Sequence, residues 1–249
     1  MRELQPAPLQ SVPDGSTISG TLTTDDTWEL GVITVTGDII ITPTVTIVIT
    51  PGTTVQMTTT NALSSGVDPA RIEWIISGTL QANGPVTFTS QGSPPAGANW
   101  YGLRFVGGGQ GTLVSTTIQY GVFGIELDNN GPMQIEGSTI RYMTDVYSPW
   151  GGTAAGVIGG WNGLPASTIL ISNTQVYSIT GQHGLAKSAT GGMPDSGGWA
   201  YGIALWWWVP PFTPPHPGQH GLLHHRWPGR RHGRGIGRNG WRRRWRFRH

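Results

Sequence analysis

From Ser16 to about Ile179 the chain alternates apolar and polar positions in short runs. Val32-Ile33-Thr34-Val35-Thr36 is one such run, followed by Asp38-Ile39-Ile40-Ile41-Thr42 and Val45-Thr46-Ile47-Val48-Ile49. Arg71-Ile72-Glu73-Trp74-Ile75-Ile76 and Val86-Thr87-Phe88-Thr89 continue the series. Each run is rich in β-branched and aromatic residues and is bounded by Gly, Pro, Asn or Asp. These are the marks of strands, with one face buried wherever the period is two. No long segment carries the 3.6-residue period of an amphipathic helix. Thr, 29 of the first 205 residues, suits the outer face of a strand, where its hydroxyl meets water. The pattern predicts an all-β chain.

The runs also repeat. Tyr101-Gly102-Leu103-Arg104-Phe105 recurs as Phe123-Gly124-Ile125-Glu126-Leu127 and as Tyr201-Gly202-Ile203-Ala204-Leu205. A second element, Leu113 to Tyr120, recurs at Ile135 to Tyr142 and at Leu170 to Tyr177. Both elements step by 22 residues between their first two copies. The next step of the second, Ile140 to Val176, is 36, a surplus assigned to the Gly-rich segment Trp150 to Gly163 looping out. Two elements sharing one period predict a solenoid with coils of about 22 residues. Each coil exposes apolar residues and strand edges that only a neighbouring coil can cover.

Further segments carry a resemblance. They run from Gly20-Thr21-Leu22-Thr23-Thr24-Asp25-Asp26-Thr27-Trp28 through Pro51-Gly52-Thr53-Thr54-Val55 and Ser77-Gly78-Thr79-Leu80-Gln81-Ala82-Asn83-Gly84 to Asn99-Trp100-Tyr101-Gly102-Leu103-Arg104-Phe105. In this order they resemble the N-terminal coils of secreted or surface-displayed bacterial right-handed parallel β-helix repeat proteins, which share the pectin-lyase-like solenoid with polymorphic outer-membrane proteins. The resemblance spans roughly Gly15 to Leu205. It implies a right-handed parallel β-helix and a secreted or cell-surface location, and it implies little about activity, because the fold hosts many roles.

Paired outward carboxylates would be needed for glycosidase or lyase chemistry, one as acid and one as base or nucleophile roughly 5–10 Å apart. Glu126 and Asp128 alternate on one strand and should both face outward, and Asp145 or Glu136 lies one coil later. Glu126, Asp128 and Asp145 are therefore the catalytic candidates, set against the turn signal of Asp128-Asn129-Asn130-Gly131. Polygalacturonases of this fold use Asn-Thr-Asp, a paired Asp, Gly-His-Gly and Arg-x-Lys. Here Asn173-Thr174-Gln175, Gln182-His183-Gly184 and Lys187 stand instead, with Gln in place of the Asp. The Thr34/Thr36, Thr44/Thr46 and Thr87/Thr89 pairs are too irregular for an ice-binding array. Gly107-Gly108-Gly109-Gln110-Gly111 lacks the Lys and helix of a phosphate loop and is expected to be a turn. Trp74, Trp100, Trp150, Trp161 and Trp199 are candidate sugar-stacking aromatics. No cofactor and no metal site is expected; with no Cys there is no disulfide framework, thiolate zinc site or thiol nucleophile.

Composition divides the chain. Of 249 residues 39 are Gly and 19 Pro, and 11% are charged. Before Trp206 stand five basic and all thirteen acidic residues; after it stand ten Arg and no acid. The formal +2 is thus the sum of a −8 body and a +10 tail. Three parts follow: a polar, disordered leader over 1–14, the β-helix over 15–205, and a disordered Pro/Trp/Arg-rich tail over 206–249. The body stops just after a coil start without a polar cap, so a C-terminally truncated solenoid is expected. If each Arg from Trp241 to Arg248 is encoded by CGG, these codons and the TGG of Trp read as Gly in a frame shifted by one base, and the chain after about Leu205 is read as a frameshift product. No run is apolar for ~18 residues, so no transmembrane helix is expected, and the N-terminus lacks the features of a signal peptide. The expected role is a non-catalytic, secreted or cell-surface, adhesin-like structural and interaction module whose partner is a polysaccharide or another surface component. The alternatives are a polysaccharide lyase or glycosidase, and polyanion or nucleic-acid binding through the tail alone.

Overall fold

The computed structural model describes residues 10–92, 95–145, 152–159, 168–181 and 199–205. Among them are nineteen strands and no helix. β1 (Gln10–Val12), β2 (Thr17–Leu22), β3 (Asp26–Trp28), β4 (Val32–Ile41), β5 (Thr46–Ile49) and β6 (Thr54–Met57) come first. β7 (Glu73–Ile76), β8 (Thr79–Asn83), β9 (Thr87–Ser90), β10 (Gly102–Val106), β11 (Gln110–Val114) and β12 (Thr117–Gln119) follow. β13 (Phe123–Asp128), β14 (Met133–Glu136), β15 (Thr139–Thr144), β16 (Thr153–Gly159), β17 (Ile169–Ser172), β18 (Gln175–Thr180) and β19 (Trp199–Leu205) complete the series.

Every pairing is parallel. One sheet runs β1-β3-β5-β8-β11-β14-β17; the other runs β18-β15-β12-β9-β6-β4-β7-β10-β13-β16-β19, with β2 also on β4. β4 is long enough to pair with β6 at its start and with β7 at its end, and so joins two columns of strands. From β5 to β18 a strand's partner lies three places along the chain. The result is a nearly closed parallel arrangement, compatible with a parallel β-helix.

Inward residues stack into ladders. Ile39, Trp74, Leu103, Ile125, Val157 and Ile203 form one. Val55, Phe88, Ile118, Ile140 and Val176 form a second, and Ile49, Ala82, Leu113, Ile135 and Ile171 a third. The rungs up to β16 are fully buried. Pairing identical turns in register aligns their apolar faces, so each turn completes the core of the one before it. Trp28, Trp74 and Phe88 meet inside this core, with ring centroids 5.2 and 5.4 Å apart. Several Thr hydroxyls staple turns together instead of meeting water: those of Thr42, Thr50 and Thr53 donate to the carbonyls of Leu22, Trp28 and Glu29.

The 22-residue step holds between β10 and β13, β11 and β14, and β12 and β15. Other steps differ: Thr46 pairs with Thr79, Thr87 with Thr117, and Ala155 with Tyr201. Ile140 does pair with Val176. The segment Trp150 to Gly163 is not a looped-out surplus, however, because residues 153–159 are β16, paired with β13 and β19. Ala155-Gly156-Val157 is a further copy of the aromatic-Gly-aliphatic motif, unnoticed because Ala replaces the aromatic residue. The runs 32–36 and 38–42 fuse into β4. β1 lies within the stretch 1–14 set apart by composition and pairs with β3. Residues 206–249, and with them the expectations about the tail, lie outside the described residues.

Candidate functional site

Three outward side chains from adjacent strands meet a fourth. β10 lies between β7 and β13, with Arg104 opposite Ile75 on one side and Glu126 on the other. Arg104 alternates outward between Leu103 and Phe105, which fill the core. Its Nη2 donates to Asp128 Oδ2 at 3.0 Å and its Nη1 to Glu73 Oε1 at 3.3 Å. Its Nε faces Glu126 Oε2 at 3.5 Å, an ion-pair contact. Tyr101 donates its hydroxyl to the same Glu126 oxygen at 2.9 Å. Glu126 and Asp128 are therefore brought together, as their alternation implies, but around a guanidinium.

Glu73 was not anticipated here. It stands opposite Gly102, in the position where three later turns carry Gly124, Gly156 and Gly202, and its side chain is fully buried. The segment between β6 and β7 covers it: Val67 N–H donates to Glu73 Oε2 at 2.8 Å. That segment is anchored by Asp38, itself fully buried. Asp38 accepts from the backbone N–H of Ser65, Gly66 and Glu73 and from the Asn61 amide.

Burial holds the Glu73 and Glu126 carboxyls above the usual carboxylate range. The Val67 N–H and Arg104 oppose the shift at Glu73, and Tyr101 and Arg104 oppose it at Glu126. Burial also works against the charge of Arg104, but Glu126 and Glu73 more than offset it and keep the guanidinium firmly charged. Burial, then the charge of Glu126, pushes the Tyr101 hydroxyl up, so it stays a donor. Beside the cluster is an open depression of about 530 Å³ lined by Arg104, Val106, Gly107, Asp128 and Asn129. Asn129 has φ +54° and Gly107 +56°, so both lie in the left-handed region at the turns after β13 and β10.

The third catalytic candidate is elsewhere. Asp145 follows β15 and packs where a Cβ on Gly152 would stand. Gly152 precedes Ile158, the partner of Glu126, by six positions, about 20 Å along a strand. Asp145 is thus not part of the cluster. Thr174 donates to the carbonyls of Ser172 and Ile135, bracing the turn before β18; His183 and Lys187 lie outside the described residues. The Thr pairs do not build a regular array. Thr54, Thr87, Thr117 and Thr139 form one column, but the neighbouring column reads Gln56, Thr89, Gln119, Arg141 and Tyr177.

Of the stacking aromatics, Trp74 and Trp100 are fully buried members of the hydrophobic core; the Trp100 indole donates to the Gln119 carbonyl. Trp199 is 60% exposed and stacks on Tyr201, while Trp150 and Trp161 lie outside the described residues. A tyrosine column was missed. Tyr120 stacks on Tyr142 at 5.1 Å, and Tyr177 meets Tyr142 edge-on at 6.2 Å. Its sequence signal is the Tyr closing each copy of the second repeat element. Among the described residues no group of His, Asp or Glu side chains is disposed to hold a metal ion, and no helix is long and apolar enough to cross a membrane. No family model matches the chain, and no curated protein or solved structure matches it.

Proposed function

We propose that this chain is a non-catalytic, right-handed parallel β-helix module of a secreted or cell-surface protein, serving as a structural and interaction scaffold. The right-handed sense follows the strong chirality preference of parallel crossover connections, and the location follows the resemblance of Gly20 to Phe105. One observation carries the non-catalytic reading: the carboxylates that converge all contact Arg104. A glycosidase needs a protonated carboxyl and an ionised one facing each other across room for a sugar and water. Here the guanidinium occupies that space and Glu73 has no exposure to substrate. Three turns tied through one cation read as a brace.

The competing reading, a polysaccharide lyase or glycosidase, draws on the depression beside Asp128 and the raised Glu126. The purified chain incubated with neutral and acidic polysaccharides decides between them. The scaffold reading expects neither new reducing ends nor unsaturated products. Product release that disappears in Glu126→Gln would overturn it.

A further inference from the structure

The described residues include three arginines: Arg71, Arg104 and Arg141. Arg71 pairs with Asp68, and Arg104 pairs with Glu73, Glu126 and Asp128. Arg141, on β15, has neutral partners only. Its Nε donates to Gln119 Oε1 at 2.9 Å and its Nη1 donates to the Tyr177 hydroxyl at 3.1 Å. Its guanidinium carbon lies 5.2 Å from the centre of the Tyr142 ring. Gln119 is fixed in turn, since its amide nitrogen donates to Thr89 Oγ1 at 3.2 Å. Among the described residues no carboxylate lies within ion-pair reach of Arg141. The guanidinium is therefore held in place on the outer face without being neutralised.

The groups around it offer donors without acceptors. A guanidinium carries five N–H donors; side chains of this fold take two of them and leave three. The Tyr177 oxygen accepts from Arg141, so its own O–H stays available to donate. The tyrosines beside it are in an unusual place. Tyr120 has φ +65° and Tyr142 φ +57°, a left-handed backbone that Gly or Asn adopts at lower cost. The backbone gains nothing from Tyr at either position. What Tyr brings is an aromatic wall: Tyr120 stacks on Tyr142, Tyr177 meets Tyr142 edge-on, and Tyr142 is 38% and Tyr177 40% exposed.

We propose that Arg141, Tyr177 and the stacked Tyr120 and Tyr142 form a binding site for the carboxylate of an acidic polysaccharide. The planar guanidinium matches a carboxylate, and the Tyr177 O–H adds a donor next to it. The exposed parts of the tyrosine rings give apolar surface to the sugar that bears the acid. The formal −8 of the body repels a densely charged polyanion, so a chain with carboxylates spaced among neutral sugars suits this single cation. The site lies on β12, β15 and β18, a different column of strands from that of the Arg104 cluster. It rests on the scaffold reading for the class of partner and names what that scaffold holds.

The test is binding of two probes to the whole chain, to Arg141→Gln and to Tyr177→Phe, in about 0.15 M salt. One probe is a glucuronate-containing tetrasaccharide with a carboxylate on alternate sugars; the other is uncharged chitotetraose. All three chains keep the ten Arg from Trp206 onward, so attraction of the acidic probe to those residues is common to them. The site expects saturable binding of the acidic probe, weakened roughly tenfold or more in Arg141→Gln, as for loss of a hydrogen bond to a charged group. It expects a smaller loss in Tyr177→Phe, no binding of chitotetraose, and a shift of the Arg141 Nε–H NMR signal when the acidic probe is added. Equal affinity in all three chains, equal binding of the two probes, or an unmoved Arg141 signal would overturn it. Should Arg141→Gln fail to fold, Tyr177→Phe and the Arg141 signal decide. New reducing ends in the same incubations would overturn the scaffold reading and leave the binding site standing, so the two failures are distinct.

Discussion

Arg104 joins carboxylates separated by 31 residues on one side and 24 on the other, and no other residue type would do this as well. The guanidinium offers five donors in a fixed fork, enough to reach β7 and β13 from β10 at once. Removing it leaves three acids repelling one another, with Glu73 buried and uncompensated. Arg104→Met is expected to destabilise the chain by about 3 kcal/mol, the lower end for breaking a buried pair because the site is partly exposed. Urea unfolding checks this; an unchanged midpoint would reduce the cluster to surface decoration. Half of the cluster was legible in the sequence, since alternation on one strand placed Glu126 and Asp128 outward together. The 22-residue repeat set Arg104 beside Glu126. Glu73 escaped because a step of 29 residues separates its strand from the next, and because it occupies a position held by Gly elsewhere.

At the scale of elements, glycine and a buried acid set where strands can lie. A Cβ on Gly124 would collide with the carbonyl of Gly156 on the next strand and with Ile140 across the core. Gly124→Ala is therefore expected to cost about 2–3 kcal/mol through overpacking, read from denaturant midpoints; wild-type stability would contradict so close an approach. The segment between β6 and β7 hangs on Asp38, whose side chain accepts three backbone N–H bonds. Asp38→Ala is expected to speed amide exchange at Ser65 and Gly66 on the order of tenfold or more, because each bond to a charged acceptor is worth about 1.5–3 kcal/mol. Unchanged exchange would mean that the segment is held by other contacts. Strand type and direction were readable from β-branched alternation and the recurring Gly. Asp38 read only as the start of a strand, since its partners come from a segment with no periodicity.

At the scale of the molecule, the turns stack in register, with apolar ladders inside and Arg104 tying adjacent turns on the outside. Strict periodicity in the sequence exposed the 22-residue turns. The remaining turns were hidden because their connecting segments vary in length while the strand columns stay aligned. The absence of Cys allows the stacking to be tested cleanly. Thr112 and Gln134 are direct register partners on β11 and β14, at a spacing of about 5 Å that suits a disulfide. Val114 lies two residues further along, about 8 Å diagonally from Gln134 and beyond disulfide reach. The deciding measurement is the extent of intramolecular disulfide formation in Thr112→Cys/Gln134→Cys and in Val114→Cys/Gln134→Cys under mild oxidation. Stacked turns predict near-complete closure of the first pair and little of the second. Equal closure of both, or failure of the first in a folded chain, would contradict the account.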